Sequence, residues 1–334
     1  MFGGAGGLGL YQELGRTKLT GTSDDISVTF TAKPYLMVLC NYITGGTQVD
    51  GRLFFNGDGG SGGSTNYAWR LERDGGVTAA YGSNYGINTE ELYYGNSFQY
   101  YFINNFSDYE KLVIGGQAHD SNDSTAGTAP SRQITSAKWV TTGSQITTVA
   151  TTNIDSGDYA PDSELVILGY DPADTVGTSI WEELASVELT GTNDTIDSGT
   201  IDNKKYLWIE YYINPSGSAG ANMRFNSNSS SVYSTRRVGN GGSDDTYTSQ
   251  DKIECRVEYG NAFGSGFIGN NDSQQKFLIL NDDAQSTAGA GTAPSSNQVW
   301  AKSSVTTDIT SIQIVNDGGG DFDSGSYLRV WGFN

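Results

Sequence analysis

Apolar and polar residues alternate along most of this chain with the period of two that sets successive side chains on opposite faces of a strand. Ile26, Val28 and Phe30 share one face, and Ser27 and Thr29 share the other. Short runs rich in β-branched and aromatic residues recur in YLMVLCNY (35–42), GRLFFN (51–56), YAWRLER (67–73), FQYYFIN (98–104), KLVIGGQA (111–118), ITSAKWVTT (134–142), QITTVATT (145–152) and SELVILGYD (163–171). Clusters of Gly, Asn, Asp and Ser punctuate them, as between strands. A period near that of a helix survives only in LYQELGR (10–16) and IWEELAS (180–186), where one helical turn is expected. Strands this short and closely spaced predict an all-β fold of jelly-roll-like, double-sheet sandwiches, with polar loops such as 57–66 and 117–130 at the sandwich ends.

The chain repeats itself. GTAPSRQITSAKWVTT (127–142) returns as GTAPSSNQVWAKSSVTT (291–307), and the match extends both ways. LYQELGRTKLTGT (10–22) answers IWEELASVELTGT (180–192), and Phe55-Asn56 falls on Phe225-Asn226. Phe98, Phe102, Ile103 and Lys111 fall on Phe263, Phe267, Ile268 and Lys276. ITTVATTNIDSGDYAPDSELVILGYD (146–171) answers ITSIQIVNDGGGDFDSGSYLRVWGFN (309–334) without a gap. A collinear match that loses only a few positions in loops marks a tandem duplication of one domain rather than a solenoid. The expected organisation is a glycine-rich, flexible arm at 1–9, a first sandwich at 10–170, a linker at 171–179 and a second sandwich at 180–334, the two together being tandem jelly-roll-like domains. In the repeated loop, Gly, Thr and Pro are expected to fix a turn, after which Ile134 or Val299 starts a core strand.

Charge narrows the partners. Nineteen Lys and Arg stand against 38 Asp and Glu, a formal charge of -19, and no basic cluster reverses that field locally. Nucleic acid is therefore not an expected partner. No stretch approaches the run of about 18 apolar residues that a membrane helix needs, and MFGGAGGLGL lacks the basic start and apolar core of an export signal. Cys40 and Cys255 do not correspond in the repeat and sit in apolar runs, so both are expected as buried, reduced thiols.

Candidate chemistry is sparse. The one histidine, His119, is expected in a polar loop, and its aligned position is Ala284. No Ser-His-Asp or Cys-His set and no phosphate-binding glycine loop is spelled out, so no catalytic or cofactor-binding residue is assigned and no enzyme is expected; a hydrolase relying on two carboxylates alone is the residual enzymatic option. Two aligned turns, DSGDYAPDS (155–163) and DGGGDFDSGS (317–326), place Asp155, Asp158 and Asp162, and Asp317, Asp321 and Asp323, at close spacing, as hard oxygen ligands for calcium would be. Loop aromatics in STNYAW (64–69) and AAYGSNYG (79–86) offer rings on which a glycan could stack.

The order Leu-Thr-Gly-Thr, an alternating apolar strand, PYLMVLCNY or KYLWIEYYI, the turn RLFFNGD or MRFNSN, TNYAW, and a terminal FDSGSYLRVWGF resembles a family of virion structural proteins of tailed bacteriophages. The resemblance spans both copies. It implies a non-enzymatic component of the capsid-decorating, head-fibre or tail-fibre kind, made in the host cytoplasm and carried on the virion. Its partners would be the major capsid protein, other virion proteins or copies of itself, with a host-surface glycan as partner if it serves as a tail-fibre module.

Overall fold

The computed structural model describes residues 11–45, 47–92, 95–120, 124–174, 179–256, 260–285 and 294–334. The expected arm at 1–9 and positions 175–178 of the expected linker lie outside the described residues. The chain divides into two compact units, 1–122 with 131–181, and 123–130 with 182–334.

The first unit holds β1 (Gln12–Lys18), β2 (Asp25–Thr29), β3 (Tyr35–Ile43), β4 (Val49–Phe55), β5 (Tyr67–Arg73), β6 (Val77–Asn84), β7 (Ile87–Leu92), β8 (Asn96–Asn104), β9 (Lys111–His119), β10 (Ser131–Trp139), β11 (Thr148–Asn153) and β12 (Glu164–Tyr170). One sheet runs β1-β12-β3-β8-β9-β10-β5-β6 and the other β2-β11-β4-β7, with every pairing antiparallel. Strands β1, β12, β3 and β8 facing β2, β11, β4 and β7 make a jelly roll of eight strands. The β5–β6 and β9–β10 hairpins are additions that widen only the first sheet.

The second unit repeats this plan with β13 (Glu182–Glu188), β14 (Thr195–Asp197), β15 (Tyr206–Ile213), β16 (Pro215–Ser216), β17 (Ala221–Phe225), β18 (Tyr233–Gly239), β19 (Asp244–Gln250), β20 (Ile253–Arg256), β21 (Ala262–Gly269), β22 (Lys276–Ala284), β23 (Ser295–Ser303), β24 (Ile312–Asn316), β25 (Asp321–Phe322) and β26 (Tyr327–Phe333). Its sheets run β13-β26-β15-β21-β22-β23-β18-β19 and β14-β24-β17-β20, the same order strand for strand, with a short β16-β25 pair added. The chain is thus all-β, built as two β-sandwiches in tandem.

Side chains between the sheets form one apolar core per unit. Ile26, Val28, Leu36, Val38, Cys40, Leu53, Phe55 and Ile167 lie in the first, and Ile196, Leu207, Ile209, Met223, Phe225, Ile314 and Val330 in the second. Cys40 and Cys255 are both buried and free, and burial pushes the Cys40 thiol up to about 12. Lys111 and its counterpart Lys276 are buried at the same end of each sandwich. Lys111 Nζ donates to the Tyr109 and Thr141 carbonyls at 2.8 and 3.1 Å, and Lys276 Nζ lies 3.5 Å from Asp308. Burial lowers the pKa of both.

Local expectations fail in three places, each for a stated reason. The helical turns expected at 10–16 and 180–186 are strands β1 and β13, each with a register shift, at Glu13/Gly15 and Glu183/Ala185. The extra residue of a bulge breaks the two-residue alternation and leaves a spacing that imitates a helix. His119 is not in a loop but is the buried last residue of β9, with Nδ1 3.0 Å from the Asp120 carbonyl oxygen. Ile134 is only half-buried and stands outside the core; Thr135 takes the buried place that Val299 holds in the second unit. One residue of register separates the two, and in a strand that exchanges faces.

The irregular segments shared by both copies are held by side chains that serve the backbone. Asn56 and Asn226 sit at positive φ (52° and 54°), and their Oδ1 atoms accept from Thr147 N and Thr310 N, each at 2.8 Å. Their Nδ2 atoms donate to the Gln145 and Asp308 carbonyls at 2.9 and 2.8 Å. Buried Asn105 accepts from Ile146 N at 2.5 Å and donates to the Lys33 and Ile146 carbonyls; buried Asn270 accepts from Ile309 N at 2.9 Å and donates to the Lys204 and Ile309 carbonyls. Asn105→Ala or Asn270→Ala would strand buried backbone groups at a cost of about 2–4 kcal/mol. Urea unfolding should show each loss in the transition of the unit that carries the substitution, with similar size in the two.

Candidate functional site

The aspartates expected to bind calcium lie in the β11–β12 connection of the first unit and the β24–β26 connection of the second. They do not converge. Asp155 accepts from Ser156 N at 2.7 Å, and Asp162, at φ 72°, forms an exposed ion pair with Lys18 at 2.8 Å. Asp158 faces Asp24, whose hydrogen-bonding carboxyl pushes the Asp158 pKa up. In the second unit Asp317 pairs with Lys252 at 3.3 Å, and a hydrogen bond to Asp194 pushes the Asp321 pKa up, with Asp323 adding to that field. Among the described residues no group of three or more His, Cys, Asp or Glu side chains is placed to hold a metal ion. Each turn is instead shaped by one asparagine: Asn153 Oδ1 accepts from Asp155 N and Asp50 N at 3.0 and 2.9 Å, and Asn316 Oδ1 from Gly318 N and Gly220 N, both at 2.9 Å.

What does recur is a carboxylate pair, Asp24 with Asp158 and Asp194 with Asp321. Asp24 and Asp194 lie in the turn after β1 and β13, far from their partners in sequence, so spacing could not reveal them. Their alignment with each other was the available signal.

A different feature lies in the first unit. Between the edge strands β5–β6 and strands β4–β7 lies a cleft of about 270 Å3 lined by Arg52, Trp69, Arg73, Tyr81, Asn84 and Asn88, among others. The cleft exists because the widened sheet carries β5 and β6 on one edge, while its partner sheet has only four strands. Trp69 and Tyr81 are cross-strand neighbours with ring centroids 4.4 Å apart, and Tyr81 is exposed. Arg52 is held from two sides: its Nη1 donates to the Gly60 carbonyl at 2.9 Å and its guanidinium lies 5.9 Å from the Tyr85 ring. Burial lowers the Arg52 pKa. The stretch AAYGSNYG, expected as a loop, is largely β6, so its tyrosines are positioned by a strand. In the second unit the positions of Arg52 and Trp69 are the buried Asn222 and Thr235. An exposed aromatic beside a half-buried guanidinium and two amides is a surface that can stack on a ring and hydrogen-bond its hydroxyls.

No protein-family model and no curated protein matches the chain. Among solved structures, the mouse laminin alpha1 chain, domains LG4-5, aligns over 95% of this chain and 91% of its own at 11% identity, with a TM-score of 0.21. A two-domain structure of Extended-Synaptotagmin 2 aligns over 92% of this chain and 95% of its own at 7% identity, with a TM-score of 0.14. Scores this low carry no argument about function.

The carboxylate pairs give a pH dependence with a definite sign. A carboxyl whose pKa is higher folded than unfolded adds stability that is fully present below the unfolded value, about 3.9, and lost as the pH rises through the folded value. At neutral pH each pair is left as two repelling charges. Asp158→Asn and Asp321→Asn should each raise the melting temperature at pH 7, by on the order of 1 °C for domains of this size, and calorimetry should show the gain shrinking as the pH falls through the raised folded value and gone below about 4.

Proposed function

We propose that this chain is a non-enzymatic structural protein of a tailed-bacteriophage virion, made in the host cytoplasm and carried on the capsid surface as a decoration or cement protein bound to the major capsid lattice. One observation carries the non-catalytic part of the reading. The polar residues that the two copies share most closely, Asn56/Asn226, Asn105/Asn270 and Asn153/Asn316, are all engaged with backbone groups of their own unit. The duplication therefore preserved a scaffold, and two scaffolds on one chain multiply surface contacts with a repeating lattice. The charge of -19 keeps such a surface soluble and away from packaged nucleic acid. The virion part rests on the resemblance of the turns and terminal strand to phage structural proteins.

Immunogold labelling of purified phage particles with antibody to this chain tests the reading. Gold distributed over the head is the expected result; gold confined to the tail, or absent from particles, overturns it.

The Trp69–Tyr81 cleft favours a second reading, a tail-fibre module that recognises a host-surface glycan. In that case a glycan array should return bound sugars, and Tyr81→Ala should weaken the binding about tenfold, the worth of one aromatic stacking contact. An array with no bound glycan removes this reading.

A further inference from the structure

At one core position the two copies exchange a very large side chain for a very small one. Trp139, the last residue of β10, stands opposite Lys111 of β9 on one side and Tyr67 of β5 on the other. In the second unit Ser303, the last residue of β23, stands opposite Lys276 of β22 and Tyr233 of β18. The strand pairings themselves thus equate the two positions. Both side chains are 2% exposed.

The Trp139 indole lies in a socket of four groups. Phe55 meets it edge-on with ring centroids 5.8 Å apart, Tyr67 lies nearly parallel to it at 6.4 Å, and Lys111 Nζ is 5.7 Å from its ring. Its Nε1 donates to Asp58 Oδ2 at 2.7 Å. Each wall has a counterpart in the second unit. Phe225 and Tyr233 stand 6.0 Å apart where Phe55 and Tyr67 stand 5.8 Å apart, and each tyrosine hydroxyl accepts from the phenylalanine N, at 2.9 and 2.7 Å. Lys276 answers Lys111. Asn228 answers Asp58, its N donating to the Phe225 carbonyl at 3.0 Å as Asp58 N donates to that of Phe55 at 2.8 Å. Beside Ser303 these groups line a cavity of about 210 Å3, with Ile309 at its base. Thr307, also on its wall, is exposed, and Asn228 and Val305 are half-buried, so that side is the mouth.

We propose that this cavity of the second sandwich is a binding site for an indole ring, supplied by a small aromatic ligand or by a tryptophan side chain of a partner. The volume suffices, since an apolar cavity of about 150 Å3 already takes benzene. Phe225 and Tyr233 offer the ring contacts that Phe55 and Tyr67 give Trp139. Lys276, tied to the Asn271 carbonyl and 3.5 Å from Asp308, brings a cation to the same wall as Lys111 does. Asn228 Oδ1 accepts from Ser230 N at 2.9 Å and has a second lone pair for the ring N–H that Asp58 accepts in the first unit. A core that loses a large side chain regains stability only as far as it can collapse, and here the strands on both sides of Ser303 keep the pairing of the first unit. The site does not rest on the virion assignment, because it is read on the purified chain alone.

Titration of the full chain with indole, followed by calorimetry and by the methyl resonances of Ile309 and Val305, tests it. One indole per chain should bind with a dissociation constant on the order of 1 mM or tighter, and its ring current should shift those methyls. 1-Methylindole, which has no N–H to donate, should bind about tenfold more weakly. N-acetyltryptophanamide separates the two sources: binding like that of indole supports a partner's side chain, and exclusion supports a free ligand. Ser303→Trp should fill the cavity with its own indole, raise the melting temperature of the second unit by about 2–4 °C and abolish indole binding. Saturating indole that leaves the Ile309 and Val305 methyls of the native chain unmoved overturns the proposal, whether or not the variant folds. A folded Ser303→Trp chain that binds indole like the native one overturns it as well.

Discussion

The structure depends on asparagine side chains that give irregular backbone the hydrogen bonds a sheet would otherwise supply. A jelly roll sends its chain repeatedly from one sheet to the other, and each crossing exposes N–H and C=O groups that cannot be left unpaired once buried. Asn105 and Asn270 close that account beside Ile146 and Ile309, just before β11 and β24 begin. Asn153 and Asn316, the last residues of those strands, do so at their far ends. An amide both donates and accepts, so one side chain can clamp two neighbouring loops, which a carboxylate or hydroxyl of the same reach cannot do as fully.

The same constraint accounts for the way the acidic turns are built. Their aspartates sit where glycine and asparagine already determine the backbone path, with Gly157 pressed against the Gln48 carbonyl and Gly320 against that of Ser216. Carboxylates in such turns point where the backbone sends them, and here that is toward separate partners. One pair per unit meets across the sandwich end, Asp24 with Asp158 and Asp194 with Asp321, and the hydrogen bond between the two carboxyls pushes the Asp158 and Asp321 pKa values up.

Duplication produced two copies of one scaffold but not two copies of one surface. The cleft at Trp69 and Tyr81 is lined in the first unit by Arg52 and Trp69, whose positions in the second are the buried Asn222 and Thr235. The outer faces diverge further: Leu112 and Ile114 are bare where Phe277 and Ile279 are buried, and Phe98 is buried where Phe263 is bare. Core positions answer to the fold and so stay alike; surface positions answer to whatever covers them and are free to part.

Most of the fold was legible because its signals are local. Runs of β-branched and aromatic residues, several of them alternating, named β2 through β5 and β8 through β12, and identical turn residues exposed the repeat and its alignment. The bulged strands β1 and β13 were misread because one inserted residue breaks the period of two, and β6 because its Gly, Ser and Asn content resembles a loop. Sequence alone determined most of the strands and the doubling, since strand patterns and turn residues are local signals. Only the tertiary structure decided which face of each sheet is covered, that Asp158 meets Asp24 and that Trp69 meets Tyr81. β3 shows why: its Leu36 to Tyr42 are buried on both faces, so apolar character says that a side chain can be covered but not by what, and the answer lies with residues distant along the chain.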